Sequence, residues 1–339
     1  MGMKGSPHDK LFKEAFANPR NAAAEIQSLA PPALVARMDF ESLTPLAGSF
    51  RDVALADSSS DLLFSLRIAG RNSLVYVLFE HKSATDRWVP FQLLRYMVRI
   101  WERCRHDNPE LERLPPIIPL VVHHNDTGWT AGTDFHDVID SVVVEVPELA
   151  RVTPRFEFLL DDIGRATDEQ IRARALNAFG ALALLFLRDA RTPGRFTSAF
   201  AQWADLLREL TRAPDEPRAL MILFSYLSRV LDASAWPQVH RVVHTALPET
   251  EETLMTTMAE KWMQEGEERG LEKGRQQGLA EGLLQGRRAQ LAELLEAKFG
   301  RLDEHALRRL DGADDAALTR YSQRFVAAAT LDEVFEGQA

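Results

Sequence analysis

Two carboxylates and one ammonium carry the first suggestion of chemistry in this 339-residue chain. The stretch LVYVLFEHKS ends an apolar run with Glu80 and Lys82, one residue apart. Alternate side chains of a strand share a face, so these two point one way while Phe79 and His81 point the other. Charged groups at the end of a buried strand are costly unless paired or used. An upstream run, SSSDLLF, opens with Asp61. If the two runs pair antiparallel, Asp61 and Glu80 converge with Lys82 beside them. Such a pair of carboxylates offers hard oxygen ligands to Mg²⁺, with Mn²⁺ or Ca²⁺ as substitutes. The ion makes water a better nucleophile and screens charge at phosphorus, and an ammonium can orient that water. A plain Glu80–Lys82 salt bridge is the alternative.

The next segment, FQLLRYMVRIWERCRHDN, spaces Gln92, Tyr96, Arg99 and Arg103 along one helical stripe, with Arg95 on its flank. Leu93, Leu94, Met97, Ile100, Trp101 and Cys104 take the opposing face, where Cys104 reads as inert core. An amide, an aromatic ring and arginines on one stripe suit phosphate contact and base stacking. The same stripe also fits an ordinary solvated face, its arginines pairing with Glu102, Asp107 or Glu110. Glu14, on the first helix, offers a further carboxylate to the metal, but its place off the apolar stripe reads more simply as solvent-exposed. Adjacent His123 and His124 would face opposite sides of a strand, so at most one can reach the site, and a structural role is expected. Asp161 and Asp162 end a short last strand and are expected to cap the turn that follows.

These groups must be positioned by an α/β core. HDKLFKEAF and AAAEIQSLA have helical spacing, the second running into Pro31 and Pro32. DLLFSLRIAG and NSLVYVLFEHKS read as a strand hairpin turning at Gly70-Arg71-Asn72. A helix starts near Pro90 and runs to about His106, and LPPIIPLVVHHN gives another buried strand. The core is expected over residues 6–165. A helical region over 166–248 follows, with no ionisable cluster that reads as a site. A charged helix over 249–288 and a small helical domain over 289–339 complete the chain.

Within the charged helix Gly266, Gly270, Gly274, Gly278, Gly282 and Gly286 recur at every fourth position. Each glycine costs a helix about 1 kcal/mol relative to alanine. The intervening Glu267, Glu268, Arg269, Glu272, Lys273 and Arg275 rule out a membrane-type glycine seam. Two readings stand: a weak helical linker, or a stripe joining two copies in a homodimer through Gly266–Gly286.

Composition narrows the setting. A formal net charge of −10 disfavours indiscriminate coating of nucleic acid, although screening leaves room for a local basic face between Arg87 and Arg113. One cysteine excludes an internal disulfide framework and cysteine-rich zinc sites. The sequence lacks an apolar run long enough to span a membrane, and its start lacks the order of a signal peptide. A reducing, cytoplasmic location without membrane association is expected.

Asp61, Glu80-x-Lys82 and Gln92-x-x-x-Tyr96 together resemble the PD-(D/E)XK nuclease pattern with a RecB-type QxxxY helix. With HDKLFKEAF, SSSDLLFSLRI, WVPFQLLRYMVRIWER and LPPIIPLVV, the chain more narrowly resembles the Rpn recombination-promoting nucleases, also described as YhgA-like transposases. The resemblance covers roughly residues 6–165, and the glycine-stripe helix with its helical C-terminus is similar to tails in that family. It implies a restriction-endonuclease-like mixed-sheet core followed by an all-helical half, and a metal-dependent DNA endonuclease that promotes recombination. Asp61 and Glu80 are then the metal ligands, Lys82 the water-positioning group, and Gln92 and Tyr96 supporting residues. Many relatives carry Gln where this chain has Lys82, and no proline precedes Asp61. A catalytically silent interaction protein and a regulated defence or toxin nuclease are the competing expectations.

Overall fold

The computed structural model describes residues 6–46, 62–80, 85–125, 127–213 and 216–336. Two compact units divide the chain, Met1–Met258 and Ala259–Ala339.

In the first unit, α1 (Pro7–Phe16) and α2 (Pro19–Leu29) precede a short α3 (Pro32–Val35). Ser6 caps α1 by accepting from Asp9 N at 3.2 Å, and the Asp9 carboxylate returns the contact to Ser6 N at 2.9 Å. Five described strands follow in sheet order β1-β2-β3-β4-β5: β1 (Met38–Pro45), β2 (Leu62–Ile68), β3 (Arg71–Glu80), β4 (Ile117–His123) and β5 (Leu159–Asp162). The first three pair antiparallel and the last three parallel. The mixed sheet expected from the sequence is therefore present.

The β2–β3 turn is tighter than the sequence reading placed it. Ile68 pairs with Arg71, leaving Ala69 and Gly70 as the loop, with φ of 50° and 76°. Both angles are positive, as the two-residue turn matching strand twist requires. Edge strand β1 was not anticipated. Its register with β2 shifts between Asp39 and Thr44, and such an irregular edge lacks the alternation by which strands are recognised.

Helix α4 (Val89–Asp107) links β3 to β4 with Pro90 in its first turn. It covers one face of the sheet, packing Val89, Leu93 and Ile100 with Leu63, Leu74 and Val121. The other face buries Phe64, Leu66, Val75, Leu120 and Val122 in a core shared with α1, α2 and α8 (Ala178–Asp189). Between β4 and β5 lie a 3-10 turn (Phe135–Val138) and the short α5 (Val142–Glu145) and α6 (Pro147–Ala150). Around α8 pack α7 (Asp168–Arg172), α9 (Pro193–Phe200), α10 (Ala204–Leu210), α11 (Glu216–Val230) and α12 (Trp236–Ala246). Helix α1 rests on α8 and α11, so residues before and after 165 contribute to one core. The buried charges of the helical stretch are paired: Asp189 accepts from Arg188 at 2.6 Å and Arg195 at 2.7 Å, while Asp168 holds Arg188 and the Trp203 indole.

A second paired cluster ties the helices to the sheet. Arg174 Nη1 reaches Glu25 at 2.8 Å and Asp161 at 2.6 Å. One guanidinium facing two buried carboxylates leaves an excess negative charge. Burial, and then repulsion from Asp161, push the Glu25 carboxyl well above the usual carboxylate range against the pull of Arg174. The protonated form of Glu25 is thus favoured beside Asp161. Because its folded-state pKa is raised, its contribution to stability is complete at low pH and is lost as pH rises through that value. Glu25→Gln cannot ionise, so its stability relative to wild type should grow as pH rises from the ordinary carboxylate range through the raised Glu25 pKa. Thermal melts from pH 5 to pH 9 check this; parallel pH curves for the two proteins would refute the raised pKa.

The long helix α13 (Glu251–Phe299) passes from the first unit into the second. Its C-terminal turns pack Leu291 and Leu295 with α14 (Glu304–Asp311), α15 (Asp315–Ala327) and α16 (Leu331–Glu336) through Leu302, Leu310, Leu318 and Val334. A Cβ at Gly270, Gly274, Gly278, Gly282 or Gly286 would meet nothing within 4 Å. Within the second unit these five glycines therefore serve no close approach among the described residues. Gly274→Ala with Gly278→Ala should raise helix stability by about 1 kcal/mol per site, read as a later loss of helical signal on heating. A fall instead, accompanied by loss of a dimer in ultracentrifugation, would mean that the stripe seats a second copy.

Candidate functional site

The candidate site lies where the parallel strands end. Glu80 closes β3 in register with His123 of β4, and His123 is in register with Asp162 of β5. Register partners share a face, so positions 80, 123 and 162 form a row on the face covered by α4. In mixed and parallel sheets, ligands gather outside such carboxyl ends. Asp61 and Lys82 lie outside the described residues, and Glu80 is described by its backbone alone. Leu62, next to Asp61, pairs with Val77, three residues before Glu80. The hairpin pairing the site requires is therefore present up to that point.

Helix α4 brings the supporting stripe to the same face. Gln92 Nε2 donates to Tyr96 Oη at 3.4 Å, and Tyr96 packs against the apolar cluster beneath α4. Arg95 is exposed and Arg99 half-buried. Arg103 does not stand free, since its Nε donates to Asp107 at 2.7 Å; between two exposed groups that pair is weak. At the first turn of α4, Trp88 and Phe91 are 52% and 47% exposed, and the Arg87 guanidinium lies 5.2 Å from the Trp88 ring.

The loop after β4 builds the rest. Asn125 Oδ1 accepts from Gly128 N at 2.6 Å and Thr127 Oγ1 at 3.2 Å, closing a tight turn. Gly128 has φ of +74°, and a Cβ there would fall 2.1 Å from Arg165 Nε. A Cβ on Gly164 would likewise fall 2.1 Å from the Asn125 carbonyl oxygen. Two glycines thus let the turn close onto the end of β5. Thr130 N donates to Thr85 Oγ1 at 3.1 Å, tying the same loop to the segment before α4.

This arrangement leaves several buried polar atoms without partners among the described residues. They are both ring nitrogens of His123, Asn125 Nδ2, Trp129 Nε1 and Asp162 Oδ1. His123 is 0% exposed, with its ring edge-on to Trp129 at 5.0 Å. Burial lowers its pKa against the attraction of Asp162, so the imidazole is neutral near pH 7. Asp162 Oδ2 accepts from Trp129 N at 2.8 Å and has Arg165 Nε at 3.4 Å, while Oδ1 has no partner. Buried polar groups are normally satisfied, so orphans gathered around one turn make this the candidate ligand position.

Other sequence expectations resolve in turn. The cap expected of the two aspartates is not made: Asp161 joins Arg174 on the opposite face, and Asp162 precedes a 3-10 turn without a side-chain cap. His124 also turns away, its ring 5.3 Å from that of His8, whose Nδ1 lies 2.9 Å from Tyr226 Oη. Glu14 pairs with Arg218 at 2.7 Å. Cys104 is half-buried on α4, its thiol pKa raised by burial. Asn125 and Asp162 were missed as site residues. The available signal was a strand ending His-His-Asn before a glycine and Trp129, with Asp162 ending the next strand.

Among the described residues no three His, Cys, Asp or Glu side chains are placed to hold a metal ion. The donor chemistry nevertheless fits one: Asp162 Oδ1 and the His123 nitrogens are unspent beside the strand position of Glu80. No described helix is long and apolar enough to cross a membrane.

Known proteins resemble the chain over most of its length. It is 28% identical over 265 residues to the "Inactive recombination-promoting nuclease-like protein RpnE" of Escherichia coli K12, covering 77% of this chain and 83% of that one. The "Recombination-promoting nuclease RpnA" of the same strain is 27% identical over 263 residues, 77% of this chain and 85% of the relative. For "Recombination-promoting nuclease RpnC" the figures are 28% over 167 residues, 49% and 53%. No solved structure matches. Residues 6–217, the mixed sheet together with the helices packed on it, match the family described as "Putative transposase, YhgA-like", and the chain belongs to that family.

Proposed function

We propose that the protein is a divalent-metal-dependent DNA endonuclease, hydrolysing phosphodiester bonds in a role that promotes recombination. The observation carrying this reading is the row of positions 80, 123 and 162 at the ends of parallel strands, roofed by the helix bearing Gln92 and Tyr96. Relatives whose names specify recombination-promoting nucleases support it.

Asp61 and Glu80 would hold the cation, for which Mg²⁺ is the first choice. When bound, it supplies Lewis-acid polarisation of a phosphate oxygen and a more acidic water. Lys82 orients the attacking water and offsets charge developing on the phosphate. Gln92 and Tyr96 fix the helix beside the scissile group. Arg95 and Arg99 contact phosphates, and exposed Trp88 and Phe91 offer faces on which unpaired bases can stack. A homodimer through Gly266–Gly286 would bring two such sites to one duplex. The reading places the protein with DNA in the cytoplasm.

One observation favours a second reading, an interaction protein that keeps the fold without the chemistry: a relative matched over 77% of this chain is named inactive. Nicking of supercoiled plasmid separates the two. Wild type with Mg²⁺ should nick, EDTA should abolish nicking, and Glu80→Ala should lower the rate by at least about 100-fold. Equal rates for both proteins would assign the cleavage elsewhere. Silence of a folded wild type with every divalent ion and DNA form tried would favour the interaction protein.

A further inference from the structure

The proposed nuclease reading gives the side chains of His123, Asn125 and Asp162 no chemical role, yet each keeps a buried polar atom without a partner. His123 is fully buried beside the Asn125 amide, and neither ring nitrogen reaches a partner at normal hydrogen-bond geometry. An imidazole kept dry and unpartnered is destabilising unless something absent from the protein completes it. Its neighbours fit that role. Asn125, 4% exposed, has an unpartnered Nδ2, and Asp162, its side chain 14% exposed, has an unpartnered Oδ1. Position 123 lies on the central strand, about 4.8 Å from position 80 on one side and from position 162 on the other, so His123 and Asp162 are neighbours beside the strand position of Glu80.

We propose that His123 and Asp162 are cation ligands in this chain, completing with Glu80 a mixed nitrogen–oxygen site that selects Mn²⁺-like transition ions over Mg²⁺. The inference rests on the nuclease reading only for Glu80. Hard Mg²⁺ takes oxygen donors and keeps its waters, whereas an imidazole nitrogen favours first-row transition ions. Asp162 is held for this by Trp129 N on its other oxygen. Asn125, fixed through Oδ1 by the Gly128 turn, presents its amide to whatever fills the remaining positions. His123 is the residue that decides the metal.

The test is Mn²⁺ binding to the full-length protein, followed by electron paramagnetic resonance and by titration calorimetry. The pulsed spectrum of Mn²⁺-loaded wild type should carry the ¹⁴N modulation of a coordinated imidazole, a result that needs no variant. Mn²⁺ should bind at least tenfold more tightly than Mg²⁺. His123→Gln should remove the modulation and weaken Mn²⁺ by about tenfold or more, with Mg²⁺ affinity almost unchanged; Asp162→Asn should weaken both ions. Melting temperatures near wild type confirm that the variants are folded. Mn²⁺ bound without ¹⁴N modulation, with Glu80→Ala but not His123→Gln weakening it, would overturn the assignment and leave the nuclease reading standing. Modulation present in a protein that never nicks DNA would do the reverse. Failure of wild type to bind any divalent ion would overturn both.

Discussion

The register of β3 with β4 is the constraint on which the candidate site depends. Leu74 pairs with Ile117 and Glu80 with His123, and alternation sends every second pair to the face under α4. A slip of one residue would turn His123 toward α1 and bring His124 to the site face. What resists the slip is burial on both sides: Val121 is wholly buried under α4, while Leu120 and Val122 are wholly buried on the other face. The apolar alternation that stabilises the sheet is the same alternation that aligns the polar row at its end.

That row is held by elements distant in sequence. The turn at Asn125–Gly128 closes against Gly164 and Arg165 because two glycines leave room, and Thr85 pins the turn to the segment entering α4. Beneath, Arg174 joins β5 to α2 through Asp161 and Glu25. The helices after residue 165 are thus more than an appendage: α8 lies in the core against α1, and a guanidinium beyond α7 neutralises the charge at the end of β5. Breaking such a buried pair from one side leaves an uncompensated charge, so the helical stretch fixes the last strand of the site.

Much of this was legible in the sequence. The run ending FEHKS, the DLLF strand and the Gly70 turn prescribed β2 and β3, because buried alternation and a turn glycine are local signals. Pro90 and the apolar spacing of FQLLRYMVRI prescribed α4 and, with it, the Gln92–Tyr96 contact. Edge strand β1 was not legible, since an edge with a register break has neither full burial nor strict alternation. Nor were Asn125 and Asp162, whose significance depends on β4 and β5 lying side by side, 39 residues after His123 in the case of Asp162. The His123–His124 pair indicated that at most one ring could reach the site, and only the register says which lies on that face.

The two doublets at the sheet's end allow the strongest comparison, because each sets neighbouring residues of one type on opposite faces. Asp161 and His124 lie toward the helices, and each has a protein partner: Arg174 for the carboxylate, the His8 ring beside the imidazole. Asp162 and His123 lie toward α4, and there the carboxylate keeps one oxygen unpaired and the imidazole both nitrogens. Residue type, strand position and depth are closely matched within each doublet, so poor packing at the sheet's end cannot explain the difference. Orphaned atoms are not confined to that face, since Glu25 Oε1 and Ser73 Oγ on the helix side also lack partners, but among the described residues it is under α4 that four such groups, from His123, Asn125, Trp129 and Asp162, cluster around one turn.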